Sequence, residues 1–310
     1  MKDKFNQPIV SSKLSADPTL VAYREAREKE KLERWKRMAE EQKPLLDELK
    51  SVGISVDSLS SLYKEKPYPQ AIPILLKHLQ LPYSDSLHEW IARSLGVKEA
   101  QYAWSILVED YKKTQEGWGI KGPGDTKALR LGAKSGLAAT LSDIVTSQTL
   151  GELIALARDP ANGTSRILLL YALQKRRNKN AQVQVALAEL IHDPVLTLEI
   201  SRWIQWPALV DAYKKAKDGD AEKEPEGRPE PRLTVKQRLA VALSERVKDD
   251  TLDELISLAK DPIHGESRVF LLKALRRRRN KSAKVKAILA ELMQDPILKK
   301  EIASWPKPRK

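Results

Sequence analysis

The chain has no cysteine in 310 residues, so neither a disulfide framework nor thiolate chemistry is open to it, and the expected setting is a reducing, cytoplasmic one. Histidine is almost as scarce. His78, His88, His192 and His264 are the full set, and none stands in an HExxH or HxxEH spacing, so zinc has no obvious ligands. P-loop, GxGxxG and GxSxG motifs are missing as well. These absences lead to an expectation of no catalytic residue, no metal and no cofactor. Long apolar runs are also lacking: the longest, residues 167–173, falls far short of a bilayer span, and MKDKFNQPIVSSKL at the start has no apolar signal core. Sustained two-residue alternation between hairpin turns does not occur, whereas Leu, Ala, Lys, Arg and Glu dominate throughout. The expected fold class is all-α.

What the chain does contain, it contains twice. Residues 130–203 return as 232–305 at a fixed offset of 102, with about 40 of the 74 paired positions identical. Each copy is double again: Asp159-Pro160 and Asp193-Pro194 lie 34 residues apart, and GELIALARDP aligns with VALAELIHDP. A gapless period of this size marks a helical hairpin that needs its neighbours to cover its apolar face. Asp-Pro recurs at 17, 159, 193, 261 and 295, where the carboxylate can cap helix N–H groups and Pro suits the first helical position. Residues 150–203 and 252–305 are therefore predicted to form superposable, stacked helical hairpins. A diverged unit, PYPQAIPILLKHLQLPYSDSLHEWIARSLGVKE at 67–99, precedes them. It offers one apolar helix through Ile72, Ile74, Leu75, Leu76 and Leu79, then a second through Leu87, Trp90, Ile91 and Leu95.

AIPILLKHLQ followed by SDSLHEWIARSLG resembles a HEAT repeat of the phycobilisome-lyase-like subtype. The resemblance covers residues 57–303 and implies a HEAT-like α-α superhelix, a solenoid grown one hairpin at a time. It implies no particular activity, since HEAT arrays serve as scaffolds, transport factors, lyase subunits, hydroxylases and DNA glycosylases. Residues 18–41 form a charged helix with Leu20, Tyr23, Leu32, Trp35 and Met38 in one narrow stripe, which reads as an N-terminal capping helix. The expected organisation runs from a tail and cap at 1–56 to diverged repeats with a Gly-rich, Trp118-bearing loop at 57–127. The first copy follows at 128–214, a disordered acidic and Pro-rich insertion at 215–231, and the basic second copy at 232–310.

Three activities of that family find little support in the residues. HEAT-type deoxyhypusine hydroxylase resembles an array of His-Glu pairs around two irons, and this chain has the dipeptide once, at His88-Glu89. DNA glycosylases of the fold bring a carboxylate and aromatic rings together, for which Trp203, Trp206 and Asp211 are the candidates, yet Trp203 recurs as Trp305 in the manner of a packing residue. No bilin-handling residue stands out.

Charge is the most informative functional feature. The chain carries a formal +13, and residues 232–310 hold 20 basic against 10 acidic side chains. Between the copies Tyr171 becomes Lys273, Gln174 becomes Arg276, Gln182 becomes Lys284, Gln184 becomes Lys286, Thr197 becomes Lys299 and Leu198 becomes Lys300. Equivalent positions in one fold face similar directions, so these read as surface changes on a constant frame. Part of the run Arg276 to Arg279 is explained by the dipole at a helix C-terminus. Arg166 and Arg268, seven residues after Asp159 and Asp261, resemble the inter-repeat Asp–Arg ladder of HEAT proteins, and Asn178 and Asn280 read as helix-end residues. The expectation is a non-enzymatic HEAT-repeat scaffold that binds a macromolecular partner, first an acidic protein surface, through Lys273, Arg276, Arg277, Lys284, Lys286 and Lys299, with weak non-specific nucleic-acid binding beside it. The alternative is a nucleic-acid-binding or glycosylase-like DNA-repair module using the same basic repeats.

Overall fold

A computed structural model of the chain describes residues 18–62, 67–116, 132–217, 219 and 233–306. Asp17, Trp118 with most of its loop, and the body of the 215–231 insertion lie outside the described residues, as do the side chains of Leu20 and Tyr23. Among the described residues the regular elements are seventeen α-helices and short 3₁₀ turns, with no strand. The all-α expectation holds. Two compact units divide the chain, Met1–Thr149 and Leu150–Lys310.

The first unit holds α1 (Pro18–Glu41), α2 (Lys43–Ser51), α3 (Leu59–Leu62), α4 (Ile72–Leu79), α5 (Asp85–Ser94), α6 (Trp104–Lys113) and α7 (Ala133–Ile144). Local sequence sets several of these boundaries. Pro stands in the first turn of α2 and of α4, where its missing N–H costs nothing, and the Ser84 hydroxyl caps α5 by accepting from Leu87 N–H. The helices then pair in chain order, α4 with α5 and α6 with α7, while α2 meets α4, α3 meets α5 and α5 meets α7. Helices α5 and α7 approach closely: a Cβ on Gly136 would lie 2.6 Å from the carbonyl oxygen of Glu89 and 3.0 Å from its Cα. Helix α1 touches α2 and α5. Two of its expected anchors are off that contact, since Leu32 and Trp35 are 55% and 58% exposed; a stripe this narrow does not turn all its large residues toward one neighbour.

The second unit holds α8 (Leu150–Arg158), α9 (Arg166–Arg176), α10 (Ala181–Leu190), α11 (Thr197–Ser201), α12 (Trp206–Lys215), α13 (Val235–Arg246), α14 (Leu252–Lys260), α15 (Arg268–Arg278), α16 (Ala283–Leu292) and α17 (Pro296–Ser304). Each even-numbered helix packs on the odd-numbered one that follows, and α11, α13, α15 and α17 touch in succession. This is the pattern of a repeat-like helical array. The buried leucines repeat with the sequence: Leu153, Leu156, Leu169, Leu173, Leu187 and Leu190 return as Leu255, Leu258, Leu271, Leu275, Leu289 and Leu292. The Asp-Pro carboxylates cap backbone as expected at the four described turns, although Pro194 opens a turn and not a helix. Asp159, Asp193, Asp261 and Asp295 accept from the N–H groups of Ala161, Val195, Ile263 and Ile297 in turn. One helix departs from the duplication: α17 starts at Pro296, but its counterpart α11 starts only at Thr197.

The α5–α7 approach yields a direct test. Gly136→Ala is expected to lower stability by about 1–3 kcal/mol, because the new methyl group meets backbone that cannot move aside. Gly151→Ala, which meets only Gln182 Nε2 at 3.5 Å, should leave the urea midpoint unchanged or raise it. Equal midpoints for the two variants would contradict the packing described.

Candidate partner-binding surface

The frame beneath the basic surface is fixed by two buried guanidinium groups. Arg166 and Arg268 are 2% and 1% exposed, and neither pairs with the aspartate seven residues before it. Arg166 reaches forward to Asp193 at 2.7 Å, and Arg268 to Asp295 at 2.7 Å. The expected partners Asp159 and Asp261 are instead exposed turn caps. The same Arg166 donates from Nε to Gly163 O at 2.8 Å and from Nη1 to Ala157 O at 3.1 Å. Gly163 and its counterpart Gly265 have φ of 63° and 56°, a region that a side chain disfavours and that turns each carbonyl toward the arginine. One arginine thus ties the end of a helix, the following turn and the cap of the next hairpin.

The duplication is also longer than residues 130–203. WSILVEDYKK of α6 and WPALVDAYKK of α12 lie 102 residues apart, each followed by the segment that carries the Gly-rich loop or the Pro-rich insertion. Those dissimilar segments are what hides the match in the sequence. The structure repeats a contact with it: Lys134 Nζ lies 4.9 Å from the Tyr111 ring in the first unit, and Lys236 Nζ lies 5.8 Å from the Tyr213 ring in the second. Both lysines are buried, where a cation gains from an aromatic face.

The six expected site residues do not form one patch. Lys273, Arg276 and Arg277 stand on α15 and Lys299 on α17, in the odd-numbered layer; Lys284 and Lys286 stand on α16 in the other. Two are neutralised internally. Lys273 pairs with Glu245 of α13 at 3.0 Å, and Lys284 pairs with Asp253 of α14. The second pair is a joint change between copies, since Gln182 and Gly151 occupy the equivalent positions. Arg276 lies over the Trp305 ring at 5.5 Å, and Arg279 at 6.0 Å, so part of this basicity holds the end of α15 against the residues after α17. Arg277, Lys286, Lys299 and Lys300 have no ion-pair partner among the described residues.

Along α11 and α17 the copies do not share an environment. Thr197 is fully buried and donates to Ile191 O and Asp193 O, because α13 covers α11. Its counterpart Lys299 is exposed, and no described helix lies beyond α17. The change from Thr to Lys there answers a difference in packing, which equivalence in sequence did not reveal.

The other candidate groups stay apart. Trp206 donates to Glu254 at 2.7 Å, and Asp211 is exposed and paired with Lys215. The cleft of about 360 Å³ in this unit is lined instead by Lys214, Lys236, Glu254, Ser257, Asp261 and His264, among others. His88 Nε2 lies 2.7 Å from Leu81 O while Glu89 holds Arg93 at 2.8 Å, so the dipeptide has no common target. Burial pushes the Glu89 carboxyl up, and Arg93 offsets this in part. In the first unit a cleft of about 480 Å³ is lined by Tyr83, His88 and Asp110; burial raises the Asp110 carboxyl, against a hydrogen bond from Gln80 at 2.6 Å. No group of three metal-ligating side chains occurs among the described residues, and none of their helices is long and apolar enough to cross a membrane.

The arginine clamp has a pH signature. Burial pushes the Asp295 carboxyl up, but the Arg268 hydrogen bond, the Leu298 and Ile297 N–H groups and the Arg268 charge outweigh it and hold the group below its ordinary value. A carboxyl lowered in the folded state adds stability above its unfolded pKa of roughly 3.9, and that stability is lost as pH falls through the folded value. Asp295→Asn is expected to cost about 3 kcal/mol at neutral pH, because Arg268 is left buried without its counter-charge. The gap from wild type should begin to narrow below about pH 4 and close as pH falls through the lower folded value, where wild type loses the same contribution. Urea melts at stepped pH measure it, and a constant gap would contradict the assignment.

Compared with known proteins, the chain matches no family model, no curated protein and no solved structure.

Proposed function

We propose that the chain is a non-enzymatic scaffold, a HEAT-like solenoid whose second copy docks an acidic protein. Support for the frame comes from helices paired in chain order, Asp-Pro caps at the hairpin turns and an arginine clamp used twice. The observation that carries the function is the set of cations left over after internal pairing. Arg277, Lys286, Lys299 and Lys300 have no ion-pair partner among the described residues, the first two on helices whose buried leucines match those of a less basic copy and the last two on α17. Exposed like charges raise the potential of a surface without stabilising it, so their return lies in association. The same cations favour a second reading, binding of a nucleic-acid backbone.

Arg277→Gln, Lys286→Gln and Lys300→Leu together remove unpaired charge and leave Lys273 and Lys284 to their acidic partners. The triple variant should keep its melting temperature. Wild type is expected to capture a protein from source-cell lysate whether or not nuclease is added, and the variant to lose it. Duplex DNA should bind wild type weakly, on the order of 10⁻⁴–10⁻⁶ M. Sub-micromolar duplex binding at physiological salt, abolished in the triple variant, would replace the protein-scaffold reading with the nucleic-acid one.

A further inference from the structure

Asn162-Gly163 is the single Asn-Gly pair in the chain, and it sits inside the turn that the first arginine clamp holds. Asn162 is 3% exposed. Its Nδ2 donates to Leu156 O at 3.0 Å, a carbonyl in the last turn of α8 whose helical partner four residues on is Pro160, which has no N–H. The carbonyl of Asn162 accepts from the Ser165 hydroxyl at 2.8 Å, and the Gly163 carbonyl accepts from Arg166 Nε at 2.8 Å. The second copy builds the same turn with another residue. His264 stands in place of Asn162, and Gly265 has φ 56° and ψ −141° against 63° and −145° at Gly163. Ser267 and Arg268 repeat the two hydrogen bonds to the backbone.

An Asn-Gly pair can react with itself. Once hydroxide takes the Gly163 N–H proton, that nitrogen can attack Cγ of Asn162: an N–C bond forms, the Cγ–Nδ2 bond breaks, and Nδ2 leaves as ammonia with a proton from water. One further water opens the five-membered imide at either carbonyl, giving an aspartyl or an isoaspartyl residue. Glycine has no Cβ to hinder the approach. Ring closure requires Asn162 to turn about its Cα–Cβ and Cα–C bonds, and the folded turn restrains both through Leu156, Ser165 and Arg166. Local opening therefore has to precede the chemistry.

We propose that Asn162-Gly163 is a covalent modification site, a point of spontaneous deamidation that the first clamp keeps closed and that the second copy lacks. The product does not suit the closed turn. An oxygen replaces the Nδ2 donor, so two buried acceptors face each other at Leu156. The isoaspartyl form also adds a methylene to the main chain, which displaces the Gly163 carbonyl from Arg166. Each opening of the first copy can thus leave a permanent mark in its clamp, whereas His264 gives the second copy the same turn without the reactive carboxamide.

The test is peptide mapping by mass spectrometry of the full chain kept in mildly alkaline buffer, folded and in urea. The peptide carrying Asn162 is expected to deamidate roughly tenfold or more faster in urea than in the folded chain, since the reaction waits on opening. Asp193→Asn strips Arg166 of its carboxylate and should raise the folded rate severalfold. Asp295→Asn does the same to Arg268 and should raise it less, each variant being held at the same interval below its own melting temperature. If Asp193→Asn does not fold, Asp193→Glu takes its place under the same criterion. Equal rates in folded and urea-treated wild type, no reaction at Asn162 in urea, or equal acceleration by the Asp193 and Asp295 variants overturns the proposal.

Discussion

A buried arginine that reaches forward to the next hairpin is the interaction on which the second unit depends. A guanidinium at 1–2% exposure is costly unless its donors are met, and here each arginine meets a helix-end carbonyl, a glycine carbonyl and a carboxylate that itself caps backbone N–H groups. The cap cannot shift without stranding the arginine, and the arginine cannot leave without stranding its acceptors. That mutual dependence fixes the angle at which one hairpin follows another more sharply than leucine packing does, because ion pairs and hydrogen bonds are directional and apolar contacts are not. Its use at Arg166 and again at Arg268 makes the two copies equivalent frames.

Much of this was legible in the sequence, for a physical reason. Helix caps and apolar periodicity are local, so Asp-Pro at 159, 193, 261 and 295 announced the hairpin turns, and the leucine spacing announced the buried faces. Partners in space are not local. The arginines were legible as clamps but their aspartates were not, since Asp159 and Asp193 carry the same dipeptide and only the fold decides which one comes near. The same limit applied to charge. Lys273 and Lys284 look like gains of free charge until Glu245 and Asp253 are seen beside them, and Thr197 looks like a surface position until α13 is seen to cover it. The longer reach of the duplication was readable from WSILVEDYKK and WPALVDAYKK, but the unlike segments that follow interrupt the match.

Equivalence of the copies separates frame from surface. Positions that agree between them are those the packing needs: the leucines, the glycines at positive φ, the clamp and its caps. Among positions that differ, some change together, as Gly151 and Gln182 do to Asp253 and Lys284, some point outward, as Tyr171 and Leu198 do, and some follow a change of packing, as Thr197 does on becoming Lys299. One frame thus carries two outer surfaces, one part apolar and one cationic, and the difference between them is where binding specificity can be set without loss of fold.

The central claim is that separability, and replacing residues 252–305 with residues 150–203 in the full chain tests it most directly, followed by thermal melting and capture of the partner. The account predicts a chimera that melts cooperatively close to wild type, because clamp, caps and leucines are all preserved, and that no longer retains the partner. A chimera that fails to fold, or that folds and binds undiminished, would contradict it.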